Sequence, residues 1–187
     1  MRTKPLNRDM ARVKILDKEF ETSIPACEVD KATAAVAARI NNDLQGKKPI
    51  FLVVLNGAFM FASDLMKQID IDCQISFVKL ASYEGTQSTG TMKQLIGMNE
   101  DLHGRSVVIV EDIVDTGATI TNIIEQVKGL GANDVHVCTM LFKPGVCPKE
   151  KTPEYIGLNI PNEFIVGHGL DYDGYGRNLV DIYKIIE

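Results

Sequence analysis

Apolar residues in this chain gather in short unbroken runs, separated by stretches with helical spacing. Ile50-Phe51-Leu52-Val53-Val54-Leu55 and Val107-Val108-Ile109-Val110 contain no polar position. Such runs predict strands buried on both faces, as in a parallel sheet. Residues 74–80 alternate polar and apolar and predict another strand, as do residues 106–111 and 135–142. Residues 30–44 repeat apolar positions at helical spacing, with Asp30 placed as an N-cap and Gly46 as the stop. Residues 58–68, after the Asn56-Gly57 turn, and 118–130 also read as helices. Strand–helix alternation at this spacing predicts an α/β fold with a parallel sheet flanked by helices.

Two stretches break the rhythm. Residues 81–93 are small, polar and glycine-bearing, and a loop this long in a compact domain usually has a function. Beyond Lys143, prolines at 144, 148, 153 and 161 punctuate short apolar segments at 164–166 and 182–186. This tail predicts a small irregular hood beside the sheet. The expectation is a single domain over 1–187, with a core at about 30–142 and a hood from about 1–29 and 143–187.

Composition narrows the class. At 187 residues the chain suffices for one domain with a real core. A net charge of −5 argues against general binding to nucleic acid or a membrane surface. The first twenty residues are interrupted by charges, so no signal peptide is read, and the strongest apolar run is too short to cross a bilayer. Cys27, Cys73, Cys138 and Cys147 form no C-x-x-C pair and have no zinc spacing, which predicts reduced thiols and a cytoplasmic setting.

The chemistry concentrates where the second apolar run ends. Glu111-Asp112 follows it directly, Asp115 comes three residues later, and Thr116-Gly117-Ala118-Thr119 opens a helix. Carboxylates at the carboxyl end of a parallel strand stand where open α/β sheets bind ligands. Free N–H groups and hydroxyls at a helix N-terminus form an anion site. Neither of the two common glycine-rich phosphate motifs is present. A helix cap at Asp115 or Thr116 would explain one acid but not the pair before it.

The whole pattern from 107 to 119 resembles the phosphoribosyl-pyrophosphate signature of the type I phosphoribosyltransferases. Ser82-Tyr83, Gln87-Ser88-Thr89-Gly90, Lys143, Phe164-Ile165-Val166-Gly167, Leu170-Asp171-Tyr172 and Arg177 are similar, in that order, to the hypoxanthine(-guanine) phosphoribosyltransferases. The resemblance implies a type I phosphoribosyltransferase core and a purine salvage reaction. Ribose 5-phosphate would pass from phosphoribosyl pyrophosphate to N9 of hypoxanthine, and of guanine as well, releasing pyrophosphate. It also implies a role for each residue. Asp115 would accept the purine proton. Glu111 and Asp112 would hold the ribose hydroxyls. Asp115, Thr116, Gly117, Ala118 and Thr119 would wrap the 5′-phosphate. Asn56, Gly57, Ser82, Tyr83 and Arg177 would grip the pyrophosphate. Lys143, Phe164, Ile165 and Asp171 would bind the base, with the Lys143 ammonium selecting a 6-oxo group over the amino group of adenine. Mg²⁺ would meet Asp171, Glu111 and Asp112.

The family often has Lys and Gly where this chain has Asn56 and Ala58, and an aromatic residue where it has His168. A non-proline cis bond is expected between Leu55 and Asn56, and the 82–93 loop is expected to close over the site. The family is usually dimeric or tetrameric, so a homodimer or homotetramer is expected. Two rivals stand beside this reading: a regulator of the same fold without catalysis, and the same reaction with xanthine as the preferred base.

Overall fold

The two uninterrupted apolar runs lie side by side at the centre of the molecule. They belong to strands β3 (Ile50–Leu55) and β6 (Ser106–Val114), paired in parallel with Ile50 opposite Val107. The structure is a computed structural model that describes residues 11–83, 92–97 and 99–186. Residues 50–53 and 107–110 are fully buried or nearly so, because helices cover both faces of this sheet. Each such side chain contributes about 1.5–3 kcal/mol by leaving water.

The central sheet has six strands. β4 (Gln74–Tyr83) lies parallel to β3, and β7 (Asp134–Phe142) and β8 (Tyr155–Asn159) continue in parallel beyond β6. β5 (Met92–Ile96) adds an antiparallel edge next to β4. Helices α1 (Ala26–Asp43) and α2 (Phe59–Met66) pack on one face, and α3 (Ala118–Gly129) packs on the other. The α1 residues Val29, Ala32, Thr33, Val36, Ala37 and Ile40 recur at helical spacing and form its buried stripe.

The chain ends form a second sheet. β1 (Arg12–Ile15), β2 (Lys18–Ile24), β9 (Ile165–Val166) and β10 (Ile182–Ile185) pair antiparallel in the order β1-β2-β10-β9. Ile15, Phe20, Val166 and Tyr183 make its small core. Asp181 ties it to the main body, accepting the Ala26 N–H at 2.6 Å.

Several expectations need correction. The hood contains an ordered four-stranded sheet, which its prolines concealed. The core sheet extends past residue 142, because Tyr155–Asn159 joins its edge; Arg39 lies 5.3 Å over the Tyr155 ring. α1 starts four residues before Asp30, since Pro25 sets the cap and the distant Asp181 satisfies the first N–H. The 82–93 loop is strand at both ends, Tyr83 pairing with Met92. Its centre, with Gln87, Ser88, Thr89 and Gly90, lies outside the described residues. Cys73, Cys138 and Cys147 carry free thiols, and burial pushes all three upward in pKa.

Candidate active site

The carboxyl ends of β3, β4 and β6 border a cavity of about 370 Å³. Leu55, Gly57, Lys79 and every residue from Glu111 to Ile120 line it. The strand expected over 106–111 runs on to Val114, so Asp112 as well as Glu111 lies within β6.

Glu111 and Asp112 are successive strand positions, so their side chains diverge. Glu111 is only 6% exposed, and burial, then the neighbouring Asp112, pushes its carboxyl well above the usual range. Asp112 is also raised by burial, partly offset by the Ile113 N–H that it accepts at 2.9 Å and by the Arg177 guanidinium.

The turn after β3 is fitted to Asp112. The Leu55–Asn56 peptide is cis, as expected. Asn56 is exposed, and Gly57 is buried against the carboxylate: a Cβ on Gly57 would stand 1.6 Å from Asp112 Oδ2. From the other side Gly169 presses on the same residue, because its own Cβ would lie 2.0 Å from the Gly57 carbonyl oxygen. Gly169 has φ +102°, which L side chains rarely adopt. Three distant segments thus meet through two glycines.

The helix cap falls on Gly117, not on Asp115 or Thr116. Gly117 takes a left-handed φ of 72° and offers no side-chain cap. Lys151 and Cys147 pack against its α-carbon, which leaves no room for a Cβ. Thr116, Ala118 and Thr119 are exposed around it; the Ala118 N–H donates to Thr116 Oγ1 at 3.4 Å, and the first turn lines the cavity.

Lys143 follows β7 and is 7% exposed. Its Nζ stands 3.1 Å from Asp115 Oδ2 and 3.2 Å from Asn162 Oδ1. Asn162 was not foreseen; a single Asn after a proline carries no sequence signal. Two residues further on, Phe164 is 48% exposed, with its ring edge-on to Tyr172 at 5.9 Å. It is therefore not a core side chain. Ile165 is buried in β9, where it pairs with Lys184.

Arg177 Nη2 meets Asp171 Oδ1 at 2.6 Å, and its Nη1 donates to the Gly169 carbonyl. Asp171 Oδ2 accepts the Gly174 N–H. Asp171 and Arg177 both act on Asp112, but Glu111 points elsewhere. Among the described residues no three His, Cys, Asp or Glu form a metal-holding group, so the three acids assigned to Mg²⁺ are not one cluster. Ser82 and Tyr83 lie in β4, opposite Lys93 and Met92. His168 is buried against Asp64, and burial pushes its pKa down. Lys79 was also not foreseen in the site, although its place near the end of β4 pointed there.

A parallel sheet with this acid-and-glycine edge defines a phosphoribosyl-transfer fold. The model of the phosphoribosyl transferase domain matches residues 26–173, and the chain belongs to the phosphoribosyltransferase family. It is 38% identical over 168 residues to the hypoxanthine-guanine phosphoribosyltransferase of Lactococcus lactis, covering 89% of this chain and 91% of that one. The enzyme of the same name from Streptococcus pneumoniae is 38% identical over 153 residues, covering 81% and 85%. A crystal structure of a hypoxanthine phosphoribosyltransferase from Staphylococcus aureus superposes with a TM-score of 0.81 at 34% identity, covering 89% and 91%.

Proposed function

We propose that this chain is a purine salvage enzyme that moves ribose 5-phosphate from phosphoribosyl pyrophosphate to N9 of hypoxanthine, and of guanine as well. The observation that carries this is the contact of Lys143 with Asp115, which lines the acid-edged cavity. A donor and an acceptor 3.1 Å apart match the adjacent O6 and N7 of a 6-oxopurine. On binding, the Lys143 ammonium donates a hydrogen bond to O6, and Asp115 accepts the proton at N7 as N9 attacks C1′. The bond from C1′ to the pyrophosphate oxygen breaks, and its electron pair leaves with pyrophosphate.

The other roles are assigned by the chemistry of each residue. Thr116 to Thr119 hold the 5′-phosphate on the N-terminus of α3. Glu111 and Asp112 accept from the ribose hydroxyls. Asn56, Gly57, Ser82, Tyr83 and Arg177 are assigned to the pyrophosphate. Phe164 offers a ring for stacking, and Ile165 and Asp171 offer groups to the base edge. Asp112 and Asp171 are hard oxygen donors that suit Mg²⁺, which takes few protein ligands and shares them with substrate phosphates. Glu111 contributes through the ribose. The ion would supply charge neutralisation on the leaving pyrophosphate.

Residues 1–187 act as one domain. Phe59 on α2, with Ile75 and Phe77 on β4, is between 39% and 45% exposed on one side of the sheet, which supports a homodimer or homotetramer. Among the described residues no helix is long and apolar enough to cross a membrane. Together with the acidic balance, this supports a cytoplasmic enzyme with small-molecule partners and no nucleic-acid partner.

The test is pyrophosphate release with phosphoribosyl pyrophosphate, Mg²⁺ and each of four bases. Hypoxanthine and guanine should turn over and adenine should not. Turnover led by xanthine would reassign the base. Release with none of the four would leave a regulator without catalysis.

A further inference from the structure

Two of the three cations near the cavity are already held. Lys143 meets Asp115 and Asn162, and Arg177 meets Asp171 and the Gly169 carbonyl. Lys79 is different. Among the described residues no carboxylate lies within ion-pair distance of it. It is also the only cation among the described residues that line the cavity, against three carboxylates.

Its placement is fixed by register. Lys79 pairs with Leu55, the last residue of β3. Val78 packs toward α3, so alternation turns Lys79 to the opposite face, which carries α2. Gly57 and the Asp112 carboxylate lie on that same side. The exposed Asn56 beside it brings no charge to the turn. A donor with a 5′-phosphate and a pyrophosphate is strongly anionic, and the cavity's acids repel it.

We propose that Lys79 supplies the direct positive charge for the donor's pyrophosphate, from strand β4 rather than from the turn at Asn56. The inference rests on the phosphoribosyl-transfer reading. Negative charge grows on the pyrophosphate as the C1′–O bond breaks, so the ammonium stabilises the transition state more than the bound substrate. Among the described residues Lys79 has no carboxylate partner to release before it meets that group.

The test pairs kinetics with direct binding. Lys79→Met should raise the KM for phosphoribosyl pyrophosphate about tenfold, the weight of one charge-assisted hydrogen bond, and should lower kcat as well. Calorimetry with Mg²⁺-pyrophosphate alone should show a similar loss of affinity. Lys79→Arg should recover most of both. The KM for hypoxanthine and the melting temperature should not move, because the side chain is exposed. Pyrophosphate affinity and donor KM both within about twofold of the unaltered protein would overturn the proposal while leaving the transferase reading intact. Failure to release pyrophosphate with any of the four bases would instead remove that reading, and with it the reaction in which Lys79 is proposed to act.

Discussion

The proposed sugar-phosphate half of the site and the proposed base half are built by opposite means. The first is one continuous stretch, residues 111–119, leaving the end of a buried parallel strand and entering a helix. Its geometry is set by the core: Val107 to Val110 are fully buried, so the acids that follow have little freedom. The second half is assembled from separate pieces. Lys143 comes from the end of β7, Asn162 and Phe164 from the chain after β8, and Asp171 from a turn of the hood, where it meets Arg177 of the pyrophosphate group. Those turns contain glycines at 167, 169, 174 and 176, all with positive φ. The contrast has a physical consequence. A phosphate needs a rigid cradle of N–H groups, which a helix end on a sheet supplies. A base edge needs pockets of adjustable shape, which loops over a small sheet supply.

Asp115 belongs to both halves, since it starts the phosphate turn and also touches Lys143. The largest effect is therefore expected there. Asp115→Asn keeps size and hydrogen bonding but removes the base, and should lower kcat by about 10²–10⁴-fold. The KM for phosphoribosyl pyrophosphate should stay near its original value. Steady-state kinetics with both substrates varied would decide it, and unchanged turnover would strip Asp115 of the proton-accepting role.

The second test attacks the joint between the halves. Gly57 is held between the Asp112 carboxylate and Gly169. Gly57→Ala places a methyl group 1.6 Å from Asp112 Oδ2, so either the turn or the carboxylate must move. Misplacement of that order should cost about 100-fold in turnover. Gly129→Ala is the control: its Cβ would meet nothing within 4 Å, at the end of α3. It should leave turnover unchanged and raise stability by up to about 1 kcal/mol. Equal activity in the two variants would show that the Gly57 contact does not hold the site.

How much of this could be read beforehand follows the same division. The parallel core was legible because β3 and β6 are uninterrupted apolar runs, and the acid edge because it is contiguous. β5 and β8 were missed because short strands at a sheet edge need no strong pattern. The hood sheet was missed for a related reason: β9 has two residues and draws its register from β10. The cap at Gly117 was hidden by two better capping residues before it, Asp115 and Thr116, because the left-handed turn takes precedence over side-chain preference. Asn162 and Gly169 act only through contacts between remote segments, which spacing in one sequence cannot express.

The smallest expected effect separates function from stability within the rigid half. Glu111 is buried, and that burial, followed by the charge of Asp112, raises its pKa well above the usual 4.5. A carboxyl that holds its proton more tightly when folded adds stability below its unfolded pKa. That stability is lost as pH rises from there through the raised folded value. As pH rises, ionising Glu111 therefore becomes a cost to the fold, one that its proposed role on the ribose hydroxyls would explain. Glu111→Gln removes the ionisation without changing the volume. It should raise the melting temperature at pH 7 by about 2–4 °C, and this gain should shrink toward zero near pH 4. Turnover should fall in the same variant, because a neutral amide is a weaker acceptor for two hydroxyls. Melting curves at pH 4, 5.5 and 7 provide the check. A variant less stable than the parent at pH 7 would mean that Glu111 is paired in the folded protein. The edge of β6 would then be a structural ion site, not a strained one held ready for substrate.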